Sequence, residues 1–470
     1  MNWIIIVKWG GGLLEFLKPS NWSTSFQLVL SFILFAFAGS FILALPMMQH
    51  EGVDASYFDH LLTAVSLVCV SGMAALPIGE TYNIWGQIVA LFMIQIGGLG
   101  VITIINTGLY YLHRKIPLKD QYILQAALNR DTNANFLSFL FSIYRFTLYF
   151  ELAAAAVIMI DFWPRYGFFK GAFNAFFLSV AAFTNSGLDN VGVNDMEAFA
   201  RNPLILITLA ALIIAGGLGF SVWFELRERM NRYLAQRPRN FKLAFRKLST
   251  HTHLVLQATA FLLVAGTVLI WLAERSNPAT IGNERFGVQV LASFFKSAST
   301  RTAGYATFHY QDTQPFTKFV YMILTIIGGA PGGTAGGIKV TTVAILYFLL
   351  RSELKSYSEV VYNRRVFPSS LVRQAVMIAL FFVVIASIGY GSLLLTHPHL
   401  DSLDLLFETM SALGTLGVSL NVTENLNLFG RIVIMILTIA GRVGPITLLL
   451  AVLQRKSPNI HYASAEVLIG

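Results

Sequence analysis

The chain has few charged residues for its length. Of its 470 residues, 12% are Asp, Glu, Lys or Arg and 55% are hydrophobic, whereas soluble globular proteins carry about twice that charged fraction. This composition excludes an ordinary soluble domain and predicts an integral membrane protein. The net charge of +9 does not indicate nucleic-acid binding, since the basic residues are spread over short loops between apolar segments.

Cysteine is almost absent as well. Cys69 is the single cysteine, which excludes an internal disulfide framework. The histidine pairs His251/His253 and His397/His399 lack the cysteine or paired carboxylates that would complete a metal site. The sequence offers no combination of nucleophile and general base, so we do not expect an enzyme.

Long apolar stretches are what the chain has in abundance. Eight of them are long enough to span about 30 Å of hydrocarbon, and they lie near residues 25–47, 84–111, 137–162, 203–224, 254–273, 318–350, 372–396 and 429–453. Segment 1–24 has no small-residue cleavage site and is interpreted as a retained interfacial segment. Four shorter apolar segments remain between the spans, and we expect these to enter the membrane and return on the same side.

Each re-entrant segment is followed by a similar short motif. The four motifs are Cys69-Val70-Ser71-Gly72, Thr184-Asn185-Ser186-Gly187, Arg301-Thr302-Ala303-Gly304 (preceded by Thr300) and Gly414-Thr415-Leu416-Gly417, and their last glycines are 113–117 residues apart. We call these last glycines the filter glycines. Glycine-rich runs beginning at Gly97, Gly216, Gly328 and Gly441 follow them after 24–29 residues. Close helix packing would explain the second set alone, but it would not explain the common spacing of both sets.

This spacing predicts a fourfold repeat. The fold class that we expect is an all-α integral membrane protein with eight transmembrane helices and four re-entrant pore helices. It is built from four tandem helix–pore-loop–helix repeats around a pseudo-fourfold pore. The expected divisions are an N-terminal segment 1–24, repeat 1 (25–112), repeat 2 (113–235), repeat 3 (236–351), repeat 4 (352–454) and a C-terminal tail 455–470.

Positive charge sorts the loops into two sets. The loops 1–24, 112–136, 225–253, 351–373 and 454–470 hold 21 of the 33 Lys and Arg. The loops with the re-entrant segments hold more than half of the acidic residues instead. The positive-inside rule places the basic loops and both termini in the cytoplasm. The acidic loops then face outward, where they would raise the local concentration of cations, and anionic lipids are expected partners of the basic ones.

The repeated motif is suited to a bare cation. A re-entrant helix points the negative end of its dipole at the pore axis, and the segment after it must aim successive carbonyls one way, which requires backbone angles open mainly to glycine. A ring of carbonyls can replace the water shell of an ion. We therefore expect K⁺ to be bound by backbone carbonyls around Gly72, Gly187, Gly304 and Gly417.

With these features the chain resembles the Trk/Ktr/HKT superfamily of potassium transporters. The most specific match is Ser299–Gly304, and the resemblance covers essentially the whole chain. The length, and the absence of an extra helical pair before residue 25, make it more similar to the membrane subunit of Ktr systems than to Trk. The ending Glu466–Gly470 is also similar. The family would place this protein in the plasma membrane of a bacterium.

The resemblance implies which residues select the ion. In this family the four filter glycines distinguish potassium from sodium, and members that pass mainly sodium often have serine at the first position. Glycine stands at all four positions here, which implies a preference for potassium. Arg301 lies inside the third motif, and we expect its guanidinium to point behind the filter toward backbone carbonyls, Asp312 or Glu408.

The third repeat departs from its sisters in its second helix. Residues 328–339, here called the gate loop, contain six glycines and a proline, which cannot hold a helix. No Gly-Lys-Ser/Thr follows, which excludes a P-loop. Irregular backbone at membrane depth is tolerated only where it lines a cavity or is buried in protein. The resemblance identifies this segment as an intramembrane gate below the filter, with the residues Gly328, Gly329, Gly332, Gly333, Thr334, Gly336, Gly337 and Lys339.

Three charged residues lie within predicted spans. Arg442 replaces the glycine of repeats 1 and 2, Gly98 and Gly217, and ionisable groups within a span are costly and usually functional. In the family an arginine here faces the gate loop and forms part of the barrier to cations, while a snorkelling arginine is the simpler alternative. Arg145 and Glu151 in the third span are expected to pair with neighbouring helices.

Two readings of the function stay open. The first is gated, selective potassium uptake through a channel-like pore, with K⁺ as the transported ion, possible Na⁺ dependence and no cofactor in this chain. The second is a secondary transporter with alternating access, or a sodium-conducting member of the superfamily. The resemblance also implies a homodimer on which a cytoplasmic ring of RCK subunits docks, carrying the nucleotide. The basic residues of the 225–253 loop would serve that partner.

Overall fold

The computed structural model describes residues 24–100, 136–192, 195–235 and 247–444. Sixteen α-helices lie in these ranges, together with short 3₁₀ turns and a two-stranded hairpin. The helices are α1 Thr24–Leu43, α2 Tyr57–Cys69, α3 Ile78–Thr81, α4 Ile84–Leu99, α5 Phe136–Tyr166, α6 Phe168–Phe183, α7 Asp195–Ala198, α8 Pro203–Gly217, α9 Phe220–Ala235, α10 Thr250–Glu274, α11 Phe286–Ser299, α12 Pro315–Ile326, α13 Val340–Leu354, α14 Ser369–Thr396, α15 Ser402–Gly414 and α16 Leu428–Val443. The hairpin pairs β1 Val361–Tyr362 with β2 Arg365–Val366 in antiparallel register.

Four helices are individually long and apolar enough to span a membrane. They include most of α1, most of α5, all of α10 and all of α14, and each begins one of the repeats. Large apolar side chains on these helices remain exposed, among them Phe261 at 70% and Leu395 at 85%. In water such exposure would be costly, whereas a lipid environment favours it. The protein is therefore a multi-pass membrane protein.

The shorter helices after them form the centre of the molecule. Helices α2, α6, α11 and α15 each end three to five residues before a filter glycine, and most residues of their C-terminal halves are buried. The inner helices α4, α8, α12 and α16 follow at 12–16 residues each. Each long helix packs on the re-entrant helix of its own repeat, which repeats the same order four times along the chain.

Contacts near the N-terminal ends of the re-entrant and inner helices join successive repeats. Arg201 pairs with Glu284 between repeats 2 and 3 at 2.5 Å, and Lys318 pairs with Asp404 between repeats 3 and 4 at 3.1 Å. A third pair, Arg431 with Asp59, connects repeat 4 back to repeat 1. A hydrogen bond from the Asn190 amide to the Gln87 carbonyl oxygen, 3.0 Å long, joins repeats 1 and 2. The four repeats are thus linked in a closed circle.

The stretch 203–224, which was expected to form one of the eight spans, is not one straight helix. Helix α8 ends at Gly217, and α9 leaves it at an angle of 99°, so no straight helix covers 203–224. The break lies at Gly219, whose φ is +85°. Helices α4 and α16 stop in the same way, before Gly100 at φ +93° and Gly444 at φ +90°. Each of these three glycines comes three residues after the first glycine of its run. The three inner helices therefore end for the same physical reason, since a left-handed residue cannot continue a right-handed helix.

Part of the sequence-based scheme lies outside the described residues. This concerns segment 1–23, the region 101–135 between repeats 1 and 2, four basic residues of the loop 225–253 (Arg237, Arg239, Lys242 and Arg246) and the tail from residue 445. The boundaries of the repeats and the side of the membrane on which the termini lie remain predictions.

Candidate ion pathway

The four filter motifs share one backbone conformation. In each of them the filter glycine and the residue two positions before it have positive φ. The pairs are Val70 (+53°) and Gly72 (+78°), Asn185 (+62°) and Gly187 (+67°), Thr302 (+75°) and Gly304 (+77°), and Thr415 (+56°) and Gly417 (+83°). Left-handed residues at every second position turn carbonyls that would alternate in an extended strand toward one side. Four non-glycine residues in this strained region at equivalent places indicate a functional geometry rather than accidental turns.

The filter glycines face one another across the repeats. A Cβ atom on Gly187 would lie 1.8 Å from the carbonyl oxygen of Ala303, and one on Gly304 would lie 2.0 Å from that of Leu416. A Cβ atom on Gly417 would lie 1.8 Å from the carbonyl oxygen of Ser71, and one on Gly72 would lie 2.6 Å from that of Ser186. Each glycine therefore touches the carbonyl that precedes the filter glycine of the next repeat. The four motifs form a closed ring, which we call the filter ring.

The four carbonyls of this ring are free of protein donors. No described residue donates a hydrogen bond to the carbonyl oxygens of Ser71, Ser186, Ala303 or Leu416, although these residues are at most 1% exposed. Buried carbonyls are paired in the great majority of cases. Four unpaired carbonyls at equivalent positions suit a dehydrated cation, which would supply the missing partner.

Serine hydroxyls hold the ring from behind in two repeats. Ser299 Oγ donates to the Tyr305 carbonyl at 3.1 Å, and Ser411 Oγ donates to the Val418 carbonyl at 2.7 Å. Both carbonyls belong to the residue that follows the filter glycine. These bonds fix the end of the motif to its own re-entrant helix, so the ring carbonyls cannot collapse freely.

The first glycine of each inner-helix run has a distinct role in packing. Cβ atoms on Gly97, Gly216 and Gly441 would lie 1.9–2.0 Å from the carbonyl oxygens of Val68, Phe183 and Leu413, each four residues before its filter glycine. Only a residue without a side chain allows this approach. Repeat 3 solves the same contact differently, since Thr325 Oγ1 donates to the Thr300 carbonyl at 3.2 Å.

Arg301 lies behind the ring, 5% exposed. Its guanidinium donates to the carbonyl of Gly328, the first residue of the gate loop, at 3.3 Å. The expected backbone carbonyl is therefore its partner. The two acidic residues considered as alternative partners have other contacts. The Glu408 carboxylate accepts a hydrogen bond from Thr423, and the backbone carbonyl of Asp312 accepts one from Asn277.

The gate loop is fixed mainly to repeat 2. The amide of Ala330 donates to Gly217 O at 2.8 Å, and the Thr334 amide donates to Gly216 O at 3.1 Å. Thr334 Oγ1 adds a bond to Phe183 O at 2.9 Å. The break between α8 and α9 frees the carbonyls of Gly216 and Gly217, whereas the Phe183 carbonyl lies at the end of α6. The gate loop of repeat 3 therefore binds to the broken inner helix of repeat 2. The sequence did not predict this contact.

The other side of the loop lies against repeat 4. A Cβ on Gly336 would lie 2.0 Å from Thr415 Oγ1 in the fourth motif. Within the loop, Lys339 Nζ donates to the Ala335 carbonyl at 2.6 Å. The Gly332 carbonyl accepts a hydrogen bond of 3.1 Å from the amide of Phe220, the first residue of α9 in repeat 2. Gly332 and Gly337 have φ of +71° and +66°. Gly329 and Gly333 have the Gly217 and Gly216 carbonyl oxygens within 2.8 Å of where a Cβ would lie.

Arg442 connects the loop to repeat 1. Its guanidinium donates to the carbonyls of Gly97 at 2.6 Å and Gly98 at 3.0 Å, and also to the carbonyl of Thr334. A half-buried arginine that binds three carbonyls on two elements does not snorkel to the membrane surface. Together with the bonds to repeat 2 and the packing of Gly336 against Thr415, Arg442 attaches the gate loop to the other three repeats.

The family model of TrkH, described as a cation transport protein, matches residues 2–461. The chain is 29% identical to Ktr system potassium uptake protein B of Bacillus subtilis, covering 99% of this chain and 98% of that protein. It is 33% identical to the protein of the same name from Vibrio alginolyticus, covering 94% of each.

Two further proteins extend this comparison. The potassium/sodium uptake protein NtpJ of Enterococcus hirae is 31% identical, covering 93% of this chain and 95% of that protein. Among solved structures, the potassium transporter TrkH of Vibrio parahaemolyticus matches with a TM-score of 0.72 at 18% identity, covering 93% of this chain and 86% of that one. The match to this structure shows that the two proteins share a fold.

Proposed function

The chain belongs to the TrkH family of cation transport proteins, and from that premise we propose that it carries out selective potassium uptake through a gated pore. The observation that carries the proposal is the filter ring of four glycines and four unpaired carbonyls. K⁺ gives up its water shell at such a ring without a large loss of free energy, because carbonyl oxygens replace the water oxygens.

Potassium is favoured over sodium by the identity of the ring residues. Gly72, Gly187, Gly304 and Gly417 leave the ring lined by backbone alone. The relatives named for potassium uptake support this choice, while the relative named for potassium and sodium leaves a sodium-conducting or sodium-dependent member as the second candidate. The carbonyls of Cys69, Val70 and their counterparts in the other motifs would extend the site along the axis.

The proposed gate is a plug below the ring, formed by gate loop residues 328–339 and Arg442. These residues lie where a cation leaving the ring toward the cytoplasm would have to pass. A full positive charge at this level opposes the ion by Coulomb repulsion. Since one loop, fixed by a few hydrogen bonds, forms the obstruction, a small displacement of the loop would open the path without a rearrangement of the helices.

A pore around a closed circle of repeats also bears on the choice of mechanism. Alternating-access transporters usually rock one set of repeats against another around a central site. Here ion pairs and hydrogen bonds join neighbouring repeats all around the circle, which favours a fixed filter with a moving plug. The eight-span topology, with the filter motifs facing outward, completes the proposal.

Regulation by a cytoplasmic partner belongs to the proposal as well. The relatives are named as proteins of a Ktr system, which supports an assembly of more than one component. Helix α9 presents Arg227, Arg229 and the 58%-exposed Arg232 just beyond the break that receives the gate loop. A homodimer with an RCK-type ring docked on this basic surface could move α9 and, through it, the loop.

Growth of a bacterium that lacks its own potassium uptake systems tests the function. Expression of the chain with its partner should restore growth at low external potassium, and the chain alone should restore it less. Arg201→Ala, which alters only an exposed ion pair, serves as the control and should behave as the unaltered chain does. Absence of rescue despite normal membrane levels, or rescue that requires counter-movement of a second substrate, would contradict the pore.

A further inference from the structure

Glu151 is a buried carboxyl group in the middle of α5, and the proposed ion pathway does not use it. Its side chain is 1% exposed. One carboxyl oxygen, Oε2, accepts a hydrogen bond of 3.3 Å from the amide nitrogen of Gln95 on α4. The other oxygen, Oε1, has no partner among the described residues, and the same is true of the buried amide oxygen of Gln95.

No charge in the described part of the chain balances this carboxyl group. Helices α4, α6 and α8 surround it, and α4 and α8 contain no titratable residue. The single titratable residue of α6 is Lys170, exposed near its outer end, and on α5 itself Arg145 is exposed while Asp161 pairs with Arg165. A buried carboxylate without a cation is strongly disfavoured in a membrane protein.

A single proton on Glu151 would remove the uncompensated charge and also give the unpaired oxygens of Glu151 and Gln95 a hydrogen bond. A protonated carboxyl group donates through its O–H and still accepts through its carbonyl oxygen. With the proton on Oε1, Glu151 can donate to the unpaired Gln95 oxygen while it accepts from the Gln95 amide nitrogen. We propose that Glu151 and Gln95 form a proton-binding acid–amide pair between repeats 2 and 1 that regulates the gate.

The pair is connected to the gate through a short stretch of α4. Gln95 lies two residues before Gly97, and the carbonyls of Gly97 and Gly98 accept the bonds of Arg442. Loss of the proton leaves an anion facing the lone pairs of the Gln95 oxygen, which pushes the two helices apart. This separation weakens the contact of α4 with Arg442, so alkaline pH should favour the open gate.

The test compares potassium uptake by reconstituted vesicles over a range of pH, and it rests on the proposed function. The unaltered chain should show a pH step, with uptake rising by roughly fivefold, the lower end of typical coupling between sites. Glu151→Gln keeps the shape and mimics the protonated state, so it should stay at the low rate of the acid side at every pH. A Glu151→Gln variant that keeps the step would overturn the proposal.

Two matched variants test whether loss of the pH step is specific to the carboxyl group of Glu151. Asp161→Asn makes the same change at the outer end of the same helix and should retain the step. The exchange Glu151→Gln with Gln95→Glu moves the carboxyl group to the partner helix and should restore a step that the single change removed. Failure of the exchange in well-assembled protein, together with a lost step in Asp161→Asn, would show that the single variant acts through general damage.

Infrared spectroscopy gives a readout that does not depend on transport. A carbonyl-stretch band of a protonated carboxylic acid should be present in the unaltered protein, shift in heavy water and vanish in Glu151→Gln. Thr147, one turn earlier with an unpaired buried hydroxyl, could instead help to bind Na⁺. Absence of the band, with a response to sodium that Glu151→Gln removes, would assign the site to sodium and overturn the proton. The band without potassium uptake in any variant would refute the proposed function while supporting the proton site.

Discussion

The filter ring and the proposed gate are built on opposite plans. Each repeat contributes to the ring one glycine, one left-handed residue before it and one carbonyl, in the same geometry. The gate takes its loop from repeat 3, the main hydrogen-bond acceptors from repeat 2, Arg442 from repeat 4 and the Gly97 and Gly98 carbonyls from repeat 1. A symmetric site suits an ion of spherical charge, whereas a gate needs a single moving part.

The ring is nevertheless not fully equivalent in its four positions. The space for an added Cβ is smallest at Gly187 and Gly417, with a carbonyl oxygen at 1.8 Å, and largest at Gly72, where the nearest oxygen is 2.6 Å away. The family resemblance places serine at this first position in sodium-passing members. The structure supplies a reason for this, since position 72 is where a side chain displaces its neighbours least.

The largest effect is expected from substitutions that break the symmetry of the ring. Gly417→Ala should reduce potassium uptake at least tenfold, because it adds backbone strain of roughly 1–3 kcal/mol to a clash with the Ser71 carbonyl. Gly72→Ser should retain uptake but lower the preference for potassium over sodium. The measurement is uptake of both ions at matched membrane levels. Equal defects in the two variants, or unchanged relative uptake in Gly72→Ser, would mean that the ring does not set selectivity.

A smaller, opposite effect is expected when the moving part of the gate is removed. Deletion of Gly332–Gly336 removes Thr334, the loop residue that binds Phe183, Gly216 and Arg442. Potassium flux should rise by about tenfold, on the order of 1.4 kcal/mol of barrier, and depend less on the cytoplasmic partner. The ion preference should not change, since the ring stays intact. If flux falls to background in well-assembled protein, the loop supports the ring rather than closing the path.

The contrast between ring and gate also decides how much the sequence could predict. The ring follows from one short motif repeated at nearly constant spacing, and the structure brings the four motifs together as a repeat requires. The gate loop is visible as a run of glycines. Its partners are not, because Gly216, Gly217 and Phe183 lie more than 100 residues away and nothing local marks them as acceptors.

The break after Gly217 was missed although a signal for it exists. In Gly216-Gly217-Leu218-Gly219 the last glycine stands where α4 and α16 also stop, so the glycine that recurs three residues after the first one could have been recognised as a left-handed helix end. The pairing of Glu151 with Gln95 had no such signal. A buried charge in a span indicates a site, but which helix faces it depends on tertiary packing.

The smallest effect on rate, and the finest test of the contrast, comes from Arg442. Arg442→Ala removes the Coulomb repulsion of a half-buried guanidinium, which amounts to roughly 1 kcal/mol at the weak end of the range for two charges about 4 Å apart. Uptake should therefore rise about fivefold, in maximal rate more than in apparent affinity. Arg442→Lys keeps the charge but cannot bind three carbonyls in one plane. If charge is the barrier, the lysine variant stays slow, and if the arginine acts by holding the loop, it is as fast as the alanine variant.

The double variant shows whether arginine and loop form one gate. Arg442→Ala combined with deletion of Gly332–Gly336 should be little faster than the deletion alone, because both changes remove the same obstruction and effects within one network are not additive. Arg201→Ala, an arginine in an exposed outer ion pair, is the control and should leave the rate unchanged. Fully additive acceleration, or a slower Arg442→Ala, would mean that repeat 4 acts on the ion independently of the loop, and the gate would then be shared between two separate barriers.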